Sequence, residues 1–167
     1  MSTQFARLDP THSSTRSPVF SDPERRFIHQ AIALVEHRLF QRGACIDSPK
    51  AVFDFLRLKL GSETHEVFAA VFLDTKHRVI AFEALAQGSI DQAVIYPRTI
   101  VKRAIELNAA AVILAHNHPS GCTSRSEADR IITDRLRAAL ELVDVRILDH
   151  VIVGKGDPYS FAEAGLL

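Results

Sequence analysis

Ala109-Ala110-Ala111-Val112-Ile113-Leu114-Ala115 is apolar throughout, and His116-Asn117-His118-Pro119 follows it directly. An apolar run with no polar face predicts a short strand covered on both sides, hence central in a sheet. The chain then turns polar through His116 to Arg125, HNHPSGCTSR. Beyond that loop, Ser126 to Leu140 has helical spacing, with Ile131, Ile132 and Leu136 expected inward. Val143 to Val153 reads as a strand pair or one long strand.

On the N-terminal side, Thr99 to Leu107 is an expected helix, and Val94-Ile95-Tyr96 an expected short strand before Pro97. Glu66 heads a continuous apolar run that ends at Leu73. Asp74 to His77 is a turn, Val79 to Leu85 the return strand of a hairpin, and Gly88 its end. Ser48-Pro49 to Gly61 predicts a helix with Val52, Phe53, Leu56 and Leu60 on its apolar face. An earlier helix opens at Ser21-Asp22-Pro23-Glu24, where Ser21 can cap and Pro23 fits the first turn. Its apolar positions are Ile28, Ala31, Ile32, Val35 and Leu39, and Gly43 is its expected stop. Residues 1–20, rich in Ser, Thr and Pro, are an expected disordered tail. The division expected is therefore a tail over 1–20, a helix over 21–44 and one domain over 45–167. The fold class expected is α/β of the α+β type, a mixed sheet flanked by helices.

The 167 residues are 47% hydrophobic, enough for a proper core, and 20 basic side chains balance 20 acidic ones. A neutral chain has no global field to draw nucleic acid or an acidic membrane surface. The basic residues are dispersed apart from Arg25-Arg26 and Lys102-Arg103, and both pairs fall on expected helices. No apolar run approaches the ~20 residues of a membrane span, and the first residues lack the apolar stretch of a secretory signal. Cys45 and Cys122 are not spaced as a metal or redox pair, so a reduced, cytoplasmic protein is expected.

The chemistry concentrates in the loop. Histidines at i and i+2 on extended backbone point the same way, so His116 and His118 can reach one ion. Asp129, in the first turn of the next helix, can fold back as an oxygen ligand. Two imidazoles and one carboxylate leave a fourth tetrahedral position for water, as catalytic zinc sites do. Hydrolysis also needs a base and an oxyanion donor. Glu66, a carboxylate at the edge of a buried strand, is the expected base. Ser126 is the expected donor. Ser126 and Asp129 also have the spacing of a capping box, and the two roles are compatible.

The string H-x-H, seven residues, S, two residues, D resembles the signature of the JAMM metalloprotease family, also called MPN-plus or JAB. More narrowly the chain resembles the RadC family, through Glu66-Val67-Phe68 with Leu73-Asp74, Gly88-Ser89, Pro97-Arg98, HNHPSG, Ser126-Glu127-Ala128-Asp129, Leu148-Asp149-His150 and Ser160-Phe161. The likeness covers roughly residues 45–167. It implies a curved, cytidine deaminase-like mixed sheet. It implies one Zn2+ on His116, His118 and Asp129, with Glu66 as base and Ser126 as oxyanion donor. The implied activity is cleavage of amide or isopeptide bonds in a peptide or protein. Longer RadC members carry an N-terminal helix-hairpin-helix region for DNA. No glycine-bearing hairpin of that kind precedes residue 43, so this chain is expected to be a short form.

Other residues have duller readings beside functional ones. Glu83 lies in mid-strand, and Asp74 is a turn residue. His150 is expected to be a structural hydrogen-bonder or an outer support for the metal. Cys122 is a polar loop residue before it is a fourth ligand, and Arg98 and Arg125 are solvated before they contact an anion. The alternative function is DNA maintenance, by a metal-bearing DNA-binding module or a nuclease, since zinc chemistry serves phosphorus as well as carbonyl carbon. That alternative requires basic residues clustered around the cleft.

Overall fold

The computed structural model describes residues 20–39, 48–88 and 95–167. The expected tail up to residue 19, Gly43, Cys45, Ser89 and Val94 lie outside the described residues.

The elements run α1 (Asp22–Leu39), α2 (Pro49–Leu60), β1 (Val67–Leu73), β2 (Val79–Gln87), α3 (Pro97–Glu106), β3 (Ala111–Asn117), α4 (Glu127–Glu141), β4 (Arg146–Val153) and β5 (Tyr159–Ser160). They form one five-stranded sheet in the order β2-β1-β3-β4-β5. β1 runs antiparallel to β2 and β3, β3 parallel to β4, and β4 antiparallel to β5. The sheet is therefore mixed.

The apolar stretch that decides the fold is β3, the middle strand, buried at all seven positions. Its two faces serve different layers. Ala111, Ile113 and Ala115 pack with Val52, Phe55, Leu56 and Leu60 of α2. Val112 and Leu114 pack with Ile100 and Ala104 of α3 and Leu136 and Leu140 of α4. The sheet thus lies between two helical layers. Burying a side chain such as Leu114 or Phe72 contributes about 1.5–3 kcal/mol. α1 rests on α2, where Lys59 pairs with Glu36 at 2.6 Å.

Parallel strands need a crossover, and α4 supplies it between β3 and β4. The polar loop therefore leaves the carboxyl end of β3 and enters the N-terminus of α4. This route brings the histidines and Asp129 to one end of the sheet.

Two expectations are corrected and a third is narrowed. Ile95 and Tyr96 are not a strand. Tyr96 is the N-cap of α3 (φ −99°, ψ 118°), because the residue before Pro97 is driven out of the helical region. Ile131 is 50% exposed; the buried stripe of α4 is Asp129, Thr133, Leu136 and Leu140. Val143 to Val153 holds one strand, which starts at Arg146 after a turn with Asp144 at φ 57°.

Candidate metal centre

His116 is the penultimate residue of the central strand and His118 stands just past its end, held there by its own N–H donating to the Val153 carbonyl at 2.8 Å. Asp129 is the third helical residue of α4, and Ser126 its N-cap. The expected capping box is present. The Asp129 N–H donates to Ser126 Oγ at 3.1 Å, and the Ser126 N–H donates to Asp129 Oδ2 at 2.6 Å. The helix start thus aims the Asp129 carboxylate back at the loop.

His116 Nε2 lies 3.0 Å from His118 Nε2 and 3.3 Å from Asp129 Oδ1, and His118 Nε2 lies 3.7 Å from Asp129 Oδ2. Among the described residues these three form the metal-capable cluster, all between residues 116 and 129. Tetrahedral zinc with bonds of about 2.0–2.1 Å sets its ligand atoms roughly 3.3 Å apart, and the observed spacings bracket that value. The donor set also fits. His118 Nδ1 donates to the Cys122 carbonyl at 2.7 Å, which leaves Nε2 bare toward the cluster. Burial raises the Asp129 carboxyl, but the His116 imidazole and the Ser126 N–H outweigh it and hold the group well below the usual carboxylate range. An ionised, largely buried carboxylate beside imidazole nitrogens is a site for a cation.

The other nominated residues separate clearly. Glu66 directly precedes β1, at the same end of the sheet as the histidines. Phe68 pairs with His116, and continuing that register sets Glu66 opposite His118. Glu83 is bonded to Arg103 of α3, with Nε to Oε2 at 2.8 Å. That bond lowers its carboxyl. Asp74 closes the β1–β2 turn, accepting from the N–H groups of Lys76 and Arg78. Arg98 lies over the Tyr96 ring, and Arg125 is exposed. Cys122 contributes its carbonyl, while hydrogen bonds from Ser124 lower its exposed thiol.

His150 is fully buried, with Nε2 2.9 Å from His116 Nδ1. It stands behind His116, one of the candidate ligands. Burial, followed by the nearness of His116, pushes its imidazole well below the ordinary value, so it is neutral.

Sequence reasoning missed two residues. Asn117 accepts from the Val67 N–H at 2.8 Å and donates to the His65 carbonyl at 3.0 Å, which fixes the segment that carries Glu66. Thr133 is buried beside His150. Its position four residues after Asp129, on the same helical face, was the available signal.

A three-layer domain with two histidines closing its central strand and an aspartate opening the next helix has the build of a JAB-type domain. The chain belongs to the RadC-like JAB domain family, whose model matches residues 46–166. It is 61% identical over 121 residues to a UPF0758 protein of Methylibium petroleiphilum, covering 72% of this chain and 54% of that one. It is 59% identical over 125 residues to a UPF0758 protein of Ectopseudomonas mendocina, covering 75% and 56%. The chain spans about half the length of the curated relatives it matches. Among the described residues no helix is long and apolar enough to cross a membrane.

Proposed function

We propose that this domain is a zinc-dependent hydrolase that cleaves amide or isopeptide bonds in a peptide or protein substrate. The observation that carries the reading is the His116–His118–Asp129 cluster, with spacings that match tetrahedral zinc. Zinc bound there supplies Lewis acidity to the attacking water and the scissile carbonyl. The Glu66 carboxylate takes the proton of the attacking water and returns it to the leaving nitrogen. Ser126 Oγ accepts from the Asp129 N–H, and its own proton remains to donate to the developing oxyanion.

DNA as substrate is less well supported. Arg103, Arg130 and Arg137 on α3 and α4 are each paired with carboxylates of Glu83 and Glu106, Glu127 and Asp134, or Asp134. These basic residues are largely neutralised by carboxylates of their own helices and, for Arg103, of β2.

The test is zinc content and peptidase activity of wild type beside Asp129→Ala and Glu66→Gln. Wild type and Glu66→Gln are expected to carry about one zinc per chain and Asp129→Ala essentially none. Glu66→Gln is expected to lose about 10²–10⁴ in turnover. A wild type that purifies without zinc and takes none up would overturn the reading.

A further inference from the structure

Behind the candidate ligands runs a chain of four polar groups whose donor and acceptor roles can be assigned one by one. It begins at the main-chain carbonyl of Asp129, which can only accept. Thr133 Oγ lies 2.5 Å from that oxygen, so the single hydroxyl proton of Thr133 is committed there. His150 Nδ1 lies 2.6 Å from the same Thr133 Oγ. Its proton spent, the hydroxyl can only accept, so Nδ1 of His150 carries the hydrogen. His150 is wholly buried and neutral, with one N–H, so its Nε2 is a bare acceptor. That Nε2 faces His116 Nδ1 at 2.9 Å, so His116 donates from Nδ1. His116 Nδ1 thus points its proton back at His150, and its Nε2 turns toward His118 and Asp129.

We propose that the Thr133–His150 pair is a positioning relay that holds His116 Nδ1 as a donor to His150 and so turns its Nε2 toward the candidate metal site. The relay starts on the backbone of one ligand and ends on the ring of another, so it ties Asp129 of α4 to His116 of β3 through β4. The ring of His150 has little freedom to break it. Phe161 stacks on it at 4.9 Å between centroids, and Phe68 meets its edge at 5.5 Å. Phe161 is itself placed by its N–H bond to the His150 carbonyl at 3.0 Å. Asp149 helps seat the same segment, accepting from Ser160 Oγ at 2.6 Å and from the Ala162 N–H at 3.0 Å. The closing residues of the chain thus hold the relay's middle member in place.

This inference rests on the zinc reading, but its first measurement does not. In the metal-free full chain, imidazole nitrogen NMR is expected to show a proton on Nδ1 of both His116 and His150 and none on Nε2 of His150. Thr133→Val keeps the shape of the side chain and removes the acceptor. It is expected to leave His116 Nδ1 only partly protonated and to weaken zinc binding about 10–100-fold. Thr133→Ser restores the hydroxyl and is expected to restore both readouts; a loss caused by altered packing alone would not recover in this way. A wild-type His116 with no proton on Nδ1 would overturn the relay. So would a Thr133→Val variant with unchanged tautomers and unchanged zinc affinity. Correct tautomers in a wild type that takes up no zinc would sink the hydrolase reading and leave the relay standing.

Discussion

Ser126 carries two jobs on separate atoms and protons, and substitution can part them. Its oxygen accepts from the Asp129 N–H, a capping bond worth about 1 kcal/mol. Its hydroxyl proton is the proposed oxyanion donor. Glycine is tolerated at an N-cap nearly as well as serine but carries no side-chain donor. Ser126→Gly is therefore expected to match wild-type stability within a few tenths of a kcal/mol while turnover falls about 10²–10³-fold. Urea denaturation beside steady-state peptidase kinetics separates the two effects; a Gly variant with full turnover would place the donor elsewhere. At this scale His116, His118 and Asp129 were legible, because the i, i+2 pair and the helix start are local patterns. Thr133 was not, being an ordinary helical threonine. His150 was named as a support, but its partner lies 34 positions away and could not be read locally.

The β1–β2 hairpin shows how one carboxylate shapes an element. Hydrogen bonds from the Arg78 side chain and backbone hold the Asp74 carboxyl at about 2, below its ordinary value. A carboxyl depressed in the folded state stabilises fully above its unfolded pKa of about 3.9, and the contribution fades as pH falls through the folded value. Asp74 is half-buried and its partner Arg78 exposed, so solvent screens the pair and the effect is small. Asp74→Asn should unfold at lower urea than wild type at pH 6, with the gap closing between about pH 4 and 2. A gap unchanged with pH would assign the effect to something other than the charge. Elements were legible where one pattern ruled. β1, β3 and α2 follow from apolar runs and a Ser-Pro start. In α4 the apolar residues misled, because its inward stripe opens with the polar Asp129 and Thr133. Ile131 therefore looked more central than it is. Ile95 and Tyr96 have strand-forming side chains, but Pro97 at the first helical position makes Tyr96 a cap instead.

Across the whole molecule, the order of the strands was beyond sequence reasoning. Hairpin signals pair β1 with β2, but nothing local says that β3 inserts beside β1 or that β4 continues the sheet in parallel. Those pairings join distant segments and depend on what the helices cover. The candidate ligands differ from the framework around them in this respect, since all lie between residues 116 and 129, whereas His150 and the Val67 segment arrive from afar. An unfolded chain keeps such neighbours within reach of one another, so it retains some grip on zinc. A ligand that binds both states stabilises only by the ratio of its two affinities. Unfolding free energy measured against rising zinc should climb and then level off, and Thr133→Val, which weakens only the folded state's hold, should level off at a lower value. An unbroken logarithmic climb would mean that the unfolded chain has no hold on the ion.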